Sequence, residues 1–144
     1  MESPVAAPAV SAFDELIAEH KRIRTLVRSA RDPEIPLKER RRRARALVEL
    51  MHRHSHAEEA SLYCVMLARR AAPRVVLAAQ EEHELFENEA ARLVRAGDDE
   101  LWTARLDVYA DLVERHLDEE ERELFPLAER MLSREDVHLA REEY

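Results

Sequence analysis

Two histidines stand alone and two stand one helical turn ahead of a glutamate, and the four occur in a repeated order. The first set is His20, then His54 and Glu58; the second is His83, then His116 and Glu120. The lone histidines lie 63 positions apart and the His-x-x-x-Glu pairs 62 apart. The flanks repeat too: Glu58-Glu-Ala-Ser-Leu-Tyr-Cys64 matches Glu120-Glu-Arg-Glu-Leu-Phe-Pro126 in outline. Imidazole nitrogen with carboxylate oxygen is a metal-ligand set. It suits iron better than magnesium or calcium, which take all-oxygen shells. A duplicated two-helix unit would place the two copies face to face around one ligand set.

For these groups to meet, they must lie on the inward stripes of helices. The apolar spacing predicts that they do. Helix A reads Phe13, Leu16, Ile17, His20, Ile23, Val27. Helix B reads Leu47, Leu50, Met51, His54, Glu58, Leu62, Val65. Helix C reads Val76, Ala79, His83, Phe86, Glu87, Ala90, and helix D reads Tyr109, Val113, His116, Glu120, Leu124, Leu127. Residues at i and i+4 share a helix face, about 6 Å apart along the axis. Each His/Glu pair therefore offers an imidazole and a carboxylate to one centre, and His20 and His83 add one imidazole each. Burying an unpaired carboxylate is very unfavourable. No lysine or arginine shares these stripes near the glutamates, so a divalent or trivalent cation would resolve the charge. Two bridging carboxylates with terminal histidines is a dinuclear arrangement, built in the cores of helix bundles.

The boundaries follow from capping and turn chemistry. Helix A is expected to start after Ser11, with Asp14 as its capping-box partner, and to run to about Ala30. Asp32-Pro-Glu-Ile-Pro36 is a turn, and Pro36 would open helix B, which reaches about Arg70. Ala71-Ala-Pro73 breaks the chain. Helix C runs from about Arg74 to Ala96, with Gly97 as a left-handed glycine after its end. Asp98 or Asp99 caps helix D, which continues to about Leu132, and Pro126 should kink it or end it early. Ser133 with Asp136 starts a short C-terminal helix. The expected fold is all-α: an up-down-up-down antiparallel four-helix bundle over residues 11–132, a disordered arm over 1–10 and a short helix or tail over 133–144.

Bulk composition agrees and excludes other classes. The 144 residues are 38% charged and 5% aromatic with one glycine, which is helical-bundle composition. A net charge of −8 argues against a surface that courts nucleic acid or anionic membrane. No stretch approaches the roughly 18 apolar residues of a membrane span. The N-terminus lacks a basic segment and does not read as a signal peptide. The single cysteine, Cys64, suggests a reducing compartment, so a cytoplasmic protein is expected.

On the order His20, His54-x-x-x-Glu58, His83, His116-x-x-x-Glu120, with Glu-Glu-x-x-Leu-aromatic after each pair, the chain resembles the hemerythrin-like (HHE cation-binding) domain family from about Phe13 to Met131. The resemblance implies a hemerythrin-like bundle holding two non-haem irons per chain, bridged by carboxylate and an oxo or hydroxo group. His20, His54, His83 and His116 would be terminal ligands, and Glu58 and Glu120 bridges. It implies binding of O2 or a related small oxidant, nitric oxide or peroxide, for sensing, detoxification or iron handling. Two departures matter. Oxygen carriers of this family have a second histidine one turn from the helix C ligand, where this chain has Ala79 and Glu87. They also end with an aspartate five residues after the helix D histidine, where this chain has Glu121. Glu87 either fills the missing ligand position or is a rim glutamate that leaves it open. The carboxylate-rich set equally admits an enzyme with peroxidase, catalase-like or NO-turnover activity, or an interaction protein that metal merely stabilises.

Other residues read more plainly. His52 and His56 flank His54 and point outward, and His138 lies beyond the bundle. Tyr63, Tyr109 and Phe125 pack between helices. Glu59 and Glu121 are solvated or hydrogen-bonded to the ligands. The basic run Lys38–Arg45 is a solvated helix face rather than a nucleic-acid patch.

Overall fold

The computed structural model describes residues 13–143, and every element in it is helical. Helix α1 spans Asp14–Arg31, with Asp14 and Glu15 in its first turn and Arg28 and Arg31 in its last, which complements the helix dipole. Ser11, the expected arm over 1–10 and Tyr144 lie outside the described residues. Pro36 sits just before α2 (Leu37–Glu58), at φ −54° and ψ 140°, one position earlier than expected. The rod then widens into a π turn, Glu59–Tyr63, and resumes as α3, Cys64–Ala68. Helix α4 covers Pro73–Arg95, with Pro73 in its first turn. Helix α5 covers Asp99–Glu119, and the Asp98 carboxylate accepts the Leu101 amide at 2.9 Å, as expected of a cap. A second π turn, Glu120–Leu124, leads into α6, Phe125–Met131. In α7 (Arg134–Glu143) the amide of Asp136 donates to Ser133 Oγ at 3.1 Å, and the Ser133 amide donates to the Asp136 carboxylate at 3.4 Å. That is the expected capping box.

Two local expectations need correction. Gly97 is not left-handed: α4 ends through Ala96 at φ −71° and ψ 107°. Its last carbonyls are served instead by Arg41, which donates to Ala96 O at 2.9 Å and Gly97 O at 3.3 Å, so no left-handed glycine cap is required. The left-handed residues are Arg70 (φ 54°) and Ala72 (φ 45°), in the turn between α3 and α4. Pro126 does not end its helix. It falls in the first turn of α6, directly after the π turn, where its missing amide costs the helix no regular bond.

The rods run antiparallel. Along α1 and α5, Arg31 meets Asp107 and Asp111 at one end, and Arg24 meets Asp118 and Glu121 towards the other. Along α2 and α4, Arg41 reaches Ala96 while His52 reaches Glu87. Helices α1, α2, α4 and α5 close into a ring, and α7 packs on the first π turn and α3. The apolar core is two plugs. One holds Ile23, Leu47, Met51, Leu93, Trp102 and Leu106, and the other holds Leu62, Met66, Val76, Leu124, Phe125 and Ala128. The basic run is structural in part. Arg40 donates to the last-turn carbonyl of Ala30 at 2.7 Å, and the Arg40 and Arg41 guanidinium groups lie 5.7 and 5.0 Å from the Trp102 ring centre.

Candidate metal centre

Between the two plugs lies a polar layer. His20, His54, Glu58, His83, His116 and Glu120 are all at most 3% exposed. They come from the four rods, and each sits on the inward stripe its spacing predicts. All four rings turn the same way, Nε2 inward and Nδ1 outward. His54 Nε2 and His116 Nε2 each lie 3.0 Å from the glutamate one turn on, Glu58 and Glu120 respectively. His20 Nε2 lies 3.5 Å from Glu120, and His83 Nε2 lies 3.7 Å from Glu58 and 3.1 Å from His116 Nε2. The rings pair by repeat: His20 with His54 at 5.0 Å between centres, His83 with His116 at 4.8 Å.

The donors divide into two groups whose ligand atoms lie within 4.8 Å of one another, His20 with His54, Glu58 and Glu120, and His83 with His116 and Glu58. Glu58 belongs to both, and Glu120 contacts a histidine of each pair. Several of these atoms have no hydrogen bond among the described residues: both ring nitrogens of His20, both oxygens of Glu58 and Oε1 of Glu120. Orphaned buried atoms of mixed nitrogen and oxygen type, most of them facing one place, fit a bound cation.

Three of the outer nitrogens have a carboxylate within hydrogen-bond distance, and the fourth faces one further off. His54 Nδ1 meets Glu19 at 2.7 Å, His83 Nδ1 meets Glu59 at 3.0 Å, His116 Nδ1 meets Glu82 at 3.4 Å and His20 Nδ1 faces Glu121 at 3.7 Å. A carboxylate behind an imidazole fixes its tautomer and ring orientation and raises its basicity as a ligand. Arg24 holds Glu121 in turn through a two-point contact, and donates to Asp118 at 2.9 Å. Sequence reasoning left Glu59 and Glu121 between two roles and overlooked Glu19 and Glu82. Their signal was present: each precedes a lone histidine, and they are 63 positions apart. The role of Tyr63 was also missed. Its hydroxyl donates to Glu120 Oε2 at 2.8 Å, beyond simple packing.

Glu87 does not join the cluster. It is 46% exposed and meets His52 Nδ1 at 3.0 Å and His56 Nε2 at 2.8 Å, both on the surface. The inward stripe of α4 runs through His83, Phe86 and Ala90, and Glu87 falls on its flank facing α2. The hydrogen bond from His56 holds its carboxyl below the usual range. Tyr109 is buried core, as expected, and Cys64 is exposed.

Charge within the metal-free layer is uneven. Burial works against protonation of His54, but the Glu58 and Glu19 carboxylates outweigh it and raise the ring to about 10. His116 is likewise opposed by burial and raised by Glu120 and Glu82 to about 10. Burial and the neighbouring His116 charge push His83 down to about 3. The two inner carboxylates split. Burial and Glu120 lift Glu58 to about 8, whereas Glu120, despite its burial, is held well below the ordinary value by His116. The metal-free layer therefore favours protonation of His54 and His116, and a cation must displace those protons.

No helix among the described residues is long and apolar enough to cross a membrane. Comparisons with curated proteins and with solved structures return no match. The family model of the hemerythrin HHE cation-binding domain matches residues 11–128. That span carries all six buried ligand-type residues and the bundle that converges them, and the chain belongs to this family.

Proposed function

We propose that this chain is a hemerythrin-like protein whose polar layer holds two non-haem irons and binds O2 or a related small oxidant, nitric oxide or peroxide. The observation that carries the reading is the division of the buried donors into two groups sharing Glu58, with Glu120 touching both histidine pairs. His20 and His54 would hold one iron, His83 and His116 the other, and the two glutamates would bridge. A ferrous pair supplies electrons to a bound oxidant. The chain supplies the rest: a fixed donor geometry, carboxylates that orient the rings of His54, His83 and His116, and apolar plugs that keep bulk water out.

The donor sets are unequal, and this supports ligand binding on one side. The group containing His83 and His116 has three residues, against four around His20 and His54. The smaller set leaves coordination positions open. Cavities reach that side: one of 530 Å³ walled by Met51, His83, Phe86 and Tyr109, and one of 210 Å³ walled by Ala79, His116 and Glu120. The apolar wall of the first suits a small uncharged ligand. Ala79 and Glu87, where oxygen carriers of the resembled kind place a further histidine, supply no imidazole to this side.

The test is to load metal-free protein with ferrous iron under anaerobic conditions, count metal per chain, then admit O2 and follow the visible spectrum. Two irons and new bands that reverse when oxygen is removed are expected. Zero or one iron per chain would sink the dinuclear reading. Turnover is the second reading, favoured by the two carboxylates in the donor set. Sustained peroxide or nitric oxide consumption would establish it, and stoichiometric binding alone would dismiss it.

A further inference from the structure

On the outer face of α2, His52 and His56 stand one turn apart, 58% and 57% exposed, with ring centres 4.2 Å from each other. Glu87 reaches across from α4 and places a single oxygen, Oε1, 3.0 Å from His52 Nδ1 and 2.8 Å from His56 Nε2. Ligand atoms of the three residues lie within 4.8 Å of one another. Two imidazoles spaced i, i+4 on a helix turn their donors to one side without backbone strain. The third donor comes from a different helix, so the set closes in three dimensions rather than along one surface.

The surroundings also favour a cation. A cavity of 480 Å³ beside the trio is walled by Ser55, Gln80 and His83 together with Glu59, Glu81, Glu84 and Glu87, and no lysine or arginine lines it. Such a concentration of carboxylates raises the local concentration of cations. His52 and Glu87 also edge the apolar cavity that reaches His83, so the trio forms the ridge between two openings over the second repeat.

We propose that His52, His56 and Glu87 form a surface site for a divalent first-row transition ion, separate from the buried layer. Two imidazoles select for zinc, copper or nickel over magnesium and calcium, and one carboxylate supplies partial charge compensation. The remaining positions on the ion face solvent. A bound ion would tie α2 to α4 at the level where the cavities open. The proposal does not depend on what the buried layer holds.

Zinc stoichiometry on the full chain tests it, with free zinc set by a chelating buffer. Whatever the buried layer takes up, the wild type is expected to bind one zinc more than H52A/H56A and one more than E87Q. These substitutions lie on the surface and leave the core packing untouched, and unchanged melting temperatures of the metal-free variants would verify that. Glu87→Asp should restore part of the lost binding. In H54A, which removes a buried donor, the difference of one zinc on adding H52A/H56A should persist. Equal zinc uptake by wild type and H52A/H56A would overturn the proposal and leave the trio a surface ion pair. Loss of the difference in the H54A background would also overturn it, because the trio would then be part of the buried site.

Discussion

The two repeats supply the same ligand types and treat their carboxylates differently. In the first, Tyr63 follows Glu58 by five positions; in the second, Phe125 stands in the equivalent place after Glu120. The Tyr63 hydroxyl crosses to Glu120 and donates to it at 2.8 Å. Phe125 has no hydroxyl to return. It stacks instead on Phe13 at 5.2 Å and His20 at 5.6 Å, and neither oxygen of Glu58 gains a hydrogen bond among the described residues. The carboxylate that keeps its charge, through His116, is also the one that receives the Tyr63 hydroxyl, whereas Glu58 is pushed towards its protonated form by burial and Glu120. Near-symmetric backbones do not imply equal metal positions, and the cavities reach His83 and His116, which belong to the smaller of the two donor groups.

The most severe way to break the comparison is to delete one side. If the proposed pair of irons is held as described, His54→Ala should cut iron to one per chain or none, as measured by metal analysis. Unchanged iron would show that the first repeat does not ligate.

Alkali tests the proton inventory. His54 and His116 have folded values near 10 against an ordinary 6.5, so their contribution to stability is complete below 6.5 and is lost as pH rises towards 10. Glu58, raised from 4.5 to about 8, adds a loss over 4.5–8. Metal-free protein should therefore melt lower at pH 9 than at pH 6.5, while ligand deprotonation tightens metal binding over the same interval. A melting temperature flat across that window in the metal-free form would contradict the assignment.

One substitution placed in each repeat sharpens the contrast. Glu120→Gln removes the anion that pairs with buried His116 and should lower metal-free stability by about 3 kcal/mol. Glu58→Gln replaces a group already inclined to be neutral and should cost less than about 1 kcal/mol. Chemical denaturation of both reads the difference, and equal costs would erase the asymmetry. Tyr63→Phe makes the first repeat resemble the second, and losing a hydrogen bond to a charged group should cost about 2 kcal/mol in the same assay. The smallest effect belongs to the turn joining the halves. Arg70→Gly relieves a left-handed residue and should stabilise by up to about 1 kcal/mol.

Most of the fold and the convergence of the buried histidines and glutamates was legible because both rest on periodicity. His20, His54, His83 and His116 each occupy a slot in an apolar stripe, and the 62–63 residue repeat checks one half against the other. Glu87 defeated that reasoning. It is four residues beyond His83 and so shares its general face, but the stripe of α4 passes through Phe86, and an angle of that size is decided by how α2 docks. The π turns left no sequence mark, because they change hydrogen-bond register rather than composition. Gly97 misled because a glycine after a helix signals a cap, and nothing local revealed that Arg41 would reach its carbonyls from another helix. Tyr63 could have been found: it differs from Phe125 by the hydroxyl alone, at the one repeat position beside a ligand.

The carboxylates behind the rings have an architectural consequence. Glu19 supports His54, and Glu82 supports His116, each within its own repeat; but Glu59 supports His83, and Glu121 faces His20, across the divide. The second half draws the support of its lone histidine, His83, from the first. Cleavage of the backbone at the Arg69–Ala72 turn would yield two fragments, each with an exposed apolar face and an unsupported ligand. Reassociation as a non-covalent heterodimer would restore the contact of Glu59 in one fragment with His83 in the other.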